Sequence, residues 1–194
     1  MIVEITEKPD SFTPVLVINS NTFTSSLNAF RQDAVLPGSR WAASFTWTNR
    51  KGAAARKLTG QLAKLLGPVN TFKIALPVSL IGTGTGTGVV NGASQTGSEI
   101  ITDGWDASQA LLLAAGDWIE IDQAVYLVTD DAASDGSGNA TISISPPIRR
   151  SPPDNAGVSV SPSFYMKTTK NDAAQFSFGG AQVFATSLDG LEID

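Results

Sequence analysis

The chain has 194 residues, carries 13 Lys and Arg against 18 Asp and Glu, and contains neither His nor Cys. The absence of His excludes Ser-His-Asp hydrolysis and His-ligated metals, and the absence of Cys excludes thiol nucleophiles, disulfides and zinc ribbons. A net charge of −5 argues against a nucleic-acid-binding protein, while 42% hydrophobic and 16% charged residues indicate a folded chain. We therefore expect a folded protein that is not an enzyme and holds no cofactor or metal.

The first residues and the length of the apolar runs bear on where the protein is made and whether it enters a membrane. The first ten residues, MIVEITEKPD, carry acidic side chains where a signal peptide has cations followed by an apolar stretch. No apolar run approaches the roughly 18 residues that a membrane span needs. We expect synthesis in the cytoplasm and no membrane insertion.

Two short strands and one helix are predicted in the first part of the chain. PVLVI at 14–18 and AASFTWT at 42–48 are β-rich or alternating runs bounded by turn residues. GAAARKLTGQLAKLL at 52–66 predicts an amphipathic helix that Gly67 and Pro68 end. Its apolar stripe has the i, i+4, i+7, i+8 spacing and consists of Leu58, Leu62, Leu65 and Leu66.

Strands predominate after the helix. A turn at 115–117 precedes a predicted meander, and a polar loop at 130–139 separates its second strand from the alternating run ATISIS. About ten short strands with one helix predict a mainly β fold, either a sandwich or a barrel. The remaining predicted strands are 71–76, 118–121, 125–129, 140–145, 158–160, 163–167, 174–178 and 181–187.

Two biased segments predict domain boundaries. The segment 81–97, IGTGTGTGVVNGASQTG, is rich in glycine and carries no charge, and the segment 146–162 holds five of the ten prolines. They bracket an insert of roughly 80 residues, a length typical of a small domain. We predict a β-sandwich domain built from residues 1–76 and 162–194, including the helix at 52–66, and an inserted small β-barrel at 77–161.

Charge is arranged in blocks. Residues 34–98 carry seven cations and no acid, and residues 99–148 carry nine acids and no cation. One interpretation of the blocks is two solvated faces, and a second is a pair of complementary surfaces that meet between head-to-tail subunits. Contact of the basic block with nucleic acid is the weakest of the three interpretations. Under the second interpretation the candidate interface residues are Arg50, Lys51, Arg56, Lys57, Asp117, Glu120 and Asp122.

Two loops are candidate ligand sites. The GTGTGTG tract lacks the Gly-Lys-Ser/Thr ending of a phosphate-binding loop, and its glycines miss the G-x-G-x-x-G register, so a loop is the better interpretation. Residues 130–139 resemble a calcium loop, but with Asp131 as position 1 the place of the bidentate Glu is taken by Ile142. A polar hairpin turn explains the same residues, and the sequence leaves calcium binding at 130–139 open.

The acidic residues at 120 and 122 suggest a catalytic pair as a further alternative. On a strand, Glu120 and Asp122 share a face about 7 Å apart, near the separation of an inverting glycosidase pair. Ordinary surface acids on a half-buried strand are the favoured interpretation. The four tryptophans suggest sugar stacking, although core or interface positions are more usual for Trp.

The order of the segments resembles one known family. RWAASFTWTNRKGAAARKLTGQLAKLLGPVNTFKI resembles the helix and flanking strands of the ring domain in distal tail proteins of long-tailed siphophages. LLAAGDWIEIDQAVYLVTDDAASDGSGNATISISPPIRRSP resembles a segment that recurs in phage tail-tip proteins. In that segment Gly116 and Asp117 lie at the turn, Tyr126 on the next strand, and Pro147 and Arg149 after the hairpin. The resemblance spans about residues 40–152.

The resemblance implies a structural role in the virion tail tip. Such proteins form a hexameric ring that joins the tail tube protein to the baseplate hub or tail fibre proteins, and some carry an inserted barrel of the oligonucleotide/oligosaccharide-binding type. The family supplies no catalytic residues. The alternatives are a carbohydrate-binding module that uses Trp105 or Trp118, another tail component such as a tube or terminator subunit, and a glycan hydrolase that uses Glu120 and Asp122.

Overall fold

A computed structural model of the chain describes residues 1–76, 84, 86–170, 177–178 and 184–193. The described residues form fifteen strands and one helix, and their strands make a closed barrel and additional sheets. The predicted fold class, mainly β with one helix and a small barrel, is confirmed. In the described part of the chain, no helix has the length and apolar character needed to cross a membrane.

The first body, called the sheet body below, is a seven-stranded sheet with the helix α1 at Gly52–Ala63. Six of its strands follow the order β1, β6, β13, β15, β5, β2, and β14 pairs with β15 outside this path. The strand bounds are β1 Ile2–Ile5, β2 Ser11–Val17, β5 Arg40–Arg50, β6 Thr71–Ala75, β13 Ser163–Thr168, β14 Ser177–Phe178 and β15 Phe184–Glu192.

The second body, called the barrel, closes six strands on themselves in the order β10, β11, β8, β7, β12, β9. Closure pairs β9 with β10 through a two-residue turn, so no edge strand is left open. The strand bounds are β7 Gly88–Val90, β8 Gly97–Asp103, β9 Trp118–Ile121, β10 Ala124–Val128, β11 Ala140–Ile148 and β12 Gly157–Ser159.

A separate two-stranded sheet projects from the sheet body. It pairs β3 at Ser20–Thr24 with β4 at Arg31–Val35, and residues 20–35 are called the hairpin arm. The sequence pattern missed both strands, together with β1, β7 and β8. Neither strand of the arm alternates between buried and exposed residues, since all ten are exposed.

The central strand β5 shows why the sheet body forms. Alternate residues Trp41, Ala43, Phe45 and Trp47 are buried, the period-2 pattern of a strand with one face in the core. On either side it pairs antiparallel with β2 and β15. The same cluster of buried side chains also takes in Trp118 and Val125 of the barrel. The core of the sheet body is therefore completed by barrel residues.

The end of the helix differs from the prediction. Helix α1 ends at Ala63 instead of Leu66 because the amides of Lys64 and Leu65 bond three residues back, to Gln61 and Leu62. Leu66 then adopts a φ of +52°, and its side chain is 67% exposed. The predicted stripe therefore holds for Leu58, Leu62 and Leu65, which are buried, and is wrong for Leu66.

Some predictions fall outside the described residues. Residues 174–176 and 181–183 of the last two predicted strands lie there, as do positions 77–83 and 85 around the glycine tract. Within the tract, a Cβ at Gly88 would overlap the Trp105 ring, and one at Gly84 would overlap the Leu113 side chain. Close packing against the barrel core is a sufficient reason for glycine at these two positions.

The burial of Leu62 and the exposure of Leu66 can be tested with one substitution at each position. We expect Leu62→Ala to lower the free energy of unfolding by about 2–5 kcal/mol, because it deletes a fully buried side chain. Leu66→Ala removes the same atoms from an exposed site, so a change within about 0.5 kcal/mol is expected. Urea denaturation of both variants measures the difference, and equal losses would contradict the assigned helix face.

Candidate subunit interface

The hairpin arm exposes large apolar side chains. Phe23, Phe30 and Val35 are largely exposed, and Leu27 at the tip is 96% exposed. Its strands pair with each other, and the turn is closed by hydrogen bonds from the Ser25 amide to the Phe30 carbonyl and from the Ala29 amide to the Ser25 carbonyl. A single two-stranded hairpin is marginally stable in water, and clustered exposed apolar side chains mark contact sites. The arm is therefore the leading candidate for contact with another molecule.

The two outer strands of the sheet body also expose apolar residues. Strand β2 at one edge exposes Val15 and Val17 and leads into the arm. Strand β1 at the opposite edge exposes Ile2, and Leu66 and Val69 are exposed on the chain that leads into its partner β6. Two different apolar surfaces on opposite edges suit head-to-tail contact, in which each copy uses both.

Three of the four predicted basic interface residues remain available. Lys51, Arg56 and Lys57 are exposed and make no ion pair within the described residues; they are called the cationic helix face. Arg50 is instead used inside the sheet body. Its Nη2 lies 2.9 Å from Asp10 Oδ1 and donates to the Lys8 carbonyl at 2.6 Å.

The predicted acidic interface residues are used within the chain. Asp117 is buried, and its Oδ2 accepts a hydrogen bond from the Ala114 amide at 3.0 Å, which closes the turn before β9. Asp122 pairs with Arg150 at 2.8 Å. Glu99 and Asp106 are exposed barrel acids whose side chains make neither an ion pair nor a hydrogen bond in the described part of the chain, and no local motif distinguished them. They are better candidates for the acidic side of an interface.

Glu192, at the end of β15, joins the sheet body to the barrel. Its Oε1 accepts from the Val125 amide of the barrel at 2.7 Å. Its Oε2 accepts from the Trp41 amide at 3.3 Å and lies 3.0 Å from Nη2 of Arg149. Burial raises the pKa of this carboxyl, even though Arg149 and the two amides act in the opposite direction. Sequence reasoning missed Glu192, since nothing in the sequence indicates that a C-terminal acid is buried.

Glu120 makes the reciprocal contact from the barrel to the sheet body. Its Oε2 accepts from the Ser163 amide at 2.8 Å, and Lys73 and Tyr165 of the sheet body lie near it. Burial raises the pKa of Glu120 more than these partners lower it. Two half-buried or buried carboxylates, one from each body, therefore hold the junction together.

Two tryptophans, one from each body, contact each other at the junction. The rings of Trp41 and Trp118 have centroids 4.7 Å apart, and the Trp118 ring meets the Phe164 ring edge-on at 5.9 Å. Trp105 is buried in the barrel core, where its Nε1 donates to Thr102 Oγ1 at 2.8 Å. Trp105 and Trp118 thus offer no exposed ring face for a sugar, contrary to what a carbohydrate-binding module requires.

The pairing of Glu120 with Asp122 on one strand face is wrong. Strand β9 ends at Ile121, and Asp122 and Gln123 have φ values of +49° and +68° in the turn that leads into β10. The sequence also predicted a strand that ends at Ile121, so Asp122 lies in the turn and does not share a strand face with Glu120. The two carboxylates have different partners, the Ser163 amide for Glu120 and Arg150 for Asp122.

The loop at 130–139 is organised by its own hydrogen bonds. Asp135 accepts from the side chain of Asn139 at 2.9 Å and from the amides of Ser137 and Asn139, and these bonds lower the pKa of its carboxyl. Within the residues that the structure describes, no group of three or more His, Cys, Asp or Glu side chains is placed to hold a metal ion.

Comparisons with known proteins add no relative. No protein-family model matches the chain, and no curated protein matches it.

Because the Glu192 carboxylate is buried and paired, its replacement by Gln is expected to lower the free energy of unfolding strongly. Glu192→Gln places an amide NH₂ against the donors of Trp41 or Val125 and leaves Arg149 without its ion pair. We expect the free energy of unfolding to fall by about 3–5 kcal/mol, measured by urea denaturation. Asp189→Asn, on the same strand, disrupts the exposed pair with Lys170 and should cost less than about 1 kcal/mol. A similar loss in both variants would contradict the role given to Glu192.

Glu120 predicts a pH dependence of stability. Because its pKa is raised in the folded chain above the ordinary 4.5, the folded chain keeps a proton that the unfolded chain has released. The stability it contributes is complete below about pH 4.5 and is lost as the pH rises through the folded-state pKa. Glu120→Gln removes this titration and keeps an acceptor for Ser163. The stability of the unmodified chain relative to the variant should therefore fall between pH 4.5 and 8; a rising difference would contradict the assignment.

Proposed function

We propose that this chain is a structural subunit of a phage tail tip, where six copies form a ring between the tail tube and the hub or tail fibre proteins. The proposal joins the resemblance of residues 40–152 to distal tail proteins with the surfaces described above. It assigns the chain no catalytic role, no cofactor and no part in sequence-specific binding of nucleic acid.

The hairpin arm is the observation that carries the proposal. Its apolar side chains are exposed, and among the described strands its two strands pair only with each other, which leaves the arm without a hydrophobic core of its own. A second copy supplies such a core if the arm lies on the neighbour's sheet body. Since the apolar surfaces of one copy lie on opposite edges of its sheet, repeated contact of this kind is heterologous and closes into a ring when the rotation per subunit divides a full turn.

The alternative functions receive less support than the ring subunit. A carbohydrate-binding module that stacks sugars on Trp105 or Trp118 requires exposed rings, and both are buried. A hydrolase that uses Glu120 and Asp122 was inferred from a shared strand face, and Asp122 instead lies in the turn after β9 and pairs with Arg150. A tube or terminator subunit shares the ring geometry and differs in where it lies in the tail.

The arm gives the direct test of assembly. We expect the unmodified chain of 20.2 kDa to sediment as a hexamer and the double variant Phe23→Ser, Phe30→Ser to sediment as a monomer, because the arm then loses its apolar contact. Leu111→Ser changes an exposed apolar residue of the barrel and is the matched control. Sedimentation velocity at equal protein concentration distinguishes the species, with circular dichroism to verify folding. A hexameric double variant, or an unmodified monomer, contradicts the proposal.

The cationic helix face predicts a salt dependence. If Arg56 and Lys57 contact the acidic barrel surface of a neighbour, raising the salt concentration from about 0.05 M to 1 M should weaken assembly, since the Debye length falls to about 3 Å. Arg56→Glu with Lys57→Glu should weaken assembly at low salt and make it less sensitive to salt. Lys167→Glu reverses an exposed charge on β13 and serves as the control. Assembly that is independent of salt and of the double reversal rules out this electrostatic contact.

A further inference from the structure

The turn between β7 and β8 contains a chemically labile step. Asn91 and Gly92 form the single Asn-Gly step of the sequence. In such a step the backbone nitrogen of the glycine can attack the side-chain amide carbon of the asparagine, because glycine has no side chain to hinder the approach. Asn91 is exposed, and its side chain makes no hydrogen bond within the described residues. No contact therefore holds the Asn91 amide away from the nitrogen that follows it.

The backbone conformation explains why glycine stands at position 92. Gly92 has a φ of +89°, which residues with a side chain rarely adopt. A Cβ built at this position would meet no atom within 4 Å, so crowding does not exclude other residues. The turn thus favours glycine through its dihedral angle, and the Asn-Gly step is a consequence of this requirement.

Two side chains hold the peptide group that joins the two residues. The amide of Gly92 donates to Oδ1 of Asp154 at 2.8 Å. The carbonyl of Asn91 accepts from Nε2 of Gln95, also at 2.8 Å. A hydrogen bond to a carboxylate is stronger than one between neutral groups. The peptide group cannot turn its nitrogen toward the Asn91 side chain without breaking these two bonds, which are called the clamp below.

The two side chains of the clamp are themselves fixed to the barrel. Gln95 also donates to the Ile101 carbonyl at 2.9 Å and accepts from the Ile101 amide at 2.7 Å. Oδ2 of Asp154 accepts from the side chain of Asn155 at 2.9 Å, and the Asn155 amide donates to the Val90 carbonyl at 2.9 Å. The clamp is therefore anchored at both ends to backbone that belongs to the barrel.

We propose that Asn91 is a site of spontaneous deamidation that the clamp holds in check. In the reaction, the Gly92 nitrogen bonds to Cγ of Asn91 while the bond from Cγ to Nδ2 breaks, and ammonia leaves with the proton that the Gly92 nitrogen gives up. Water from the solvent then opens the cyclic imide at either of its two carbonyl carbons, which yields aspartate or isoaspartate. The hydrogen bond to Asp154 must break before the attack, and the negative charge of its carboxylate opposes loss of the proton.

The products of this reaction weaken the closure of the barrel. Strand β12 pairs with β7 through only two residue pairs, Gly157 with Val89 and Val158 with Gly88. Both products place a new carboxylate next to the amide that Asp154 binds, and isoaspartate also adds a methylene to the backbone. Like charges in proximity repel, so the bond that ties this turn to the chain before β12 is weakened.

Peptide mapping of the full chain tests the proposal. Samples are incubated at mildly alkaline pH, digested with pepsin at acid pH to stop the reaction, and analysed by mass spectrometry for aspartate and isoaspartate at position 91. The folded chain should react at least about tenfold more slowly than the same chain in guanidinium chloride. Asp154→Ala should raise the rate in the folded chain about tenfold, the scale of one hydrogen bond to a charged group. Gln95→Ala should raise it several-fold.

Two further variants complete the comparison. Asp106→Ala removes an exposed barrel acid that has no partner in the described part of the chain, and it should leave the rate unchanged. Asp154→Asn keeps an acceptor oxygen and loses the charge, so its rate should lie between those of the unmodified chain and Asp154→Ala. Circular dichroism verifies folding, and Asp154→Asn carries the comparison if Asp154→Ala does not fold.

Three outcomes overturn the proposal. A folded chain that deamidates as fast as the unfolded chain has no protection at Asn91. Equal rates in the unmodified chain and in the folded Asp154 variants remove Asp154 from the clamp. A slower reaction in these variants means that the carboxylate assists proton removal instead of opposing it. All groups involved come from one copy of the chain, so these outcomes are independent of whether a ring forms.

Discussion

A carboxylate buried between two folded bodies must find donors on both sides, and Glu192 does so through Val125 and Arg149 of the barrel and Trp41 of the sheet body. Glu120 makes the opposite connection, from the barrel to the amide of Ser163. Because each carboxylate loses its hydration on burial, any rotation of the barrel that breaks these bonds leaves an unpaired charge. The contact between Trp41 and Trp118 adds apolar burial to the same junction. The barrel is therefore held in one orientation on the sheet.

This fixed orientation determines where the outer surfaces of the two bodies lie relative to one another. The hairpin arm, the two sheet edges and the cationic helix face lie on the side of the sheet body. The unpaired acids Glu99 and Asp106 lie on the barrel. With the junction rigid, these surfaces keep constant positions relative to one another, as a repeating subunit requires. A ring proposed on this basis needs one interface only, formed by two different surfaces of each copy.

Local patterns predicted those parts of the fold that depend on neighbouring residues. The period-2 alternation from Trp41 to Trp47 located β5, and the run from Trp118 to Ile121 coincides with β9. Leucine spacing located the helix but not its last turn, where Lys64 and Leu65 bond three residues back and Leu66 takes a positive φ. The arm escaped prediction because its side chains are all exposed and show no alternation.

The candidate sites were less predictable than the strands. Charge counts singled out the basic residues of the helix, whose side chains remain at the surface. They also singled out Asp117, Glu120 and Asp122, whose carboxylates are bonded within the chain, those of Glu120 and Asp122 to residues distant in sequence. Glu192 pairs with Arg149 across 43 positions of sequence, and no local pattern indicates such a contact. Long-range pairing of this kind decides which charges are free for assembly, and it becomes visible only in three dimensions.

Light scattering combined with negative-stain microscopy of the purified full chain tests the central claim most directly. The account predicts a particle of six 20.2-kDa chains that appears as a closed ring with six-fold symmetry and an open centre. A particle with the mass of a single chain and no rings in the images would contradict it.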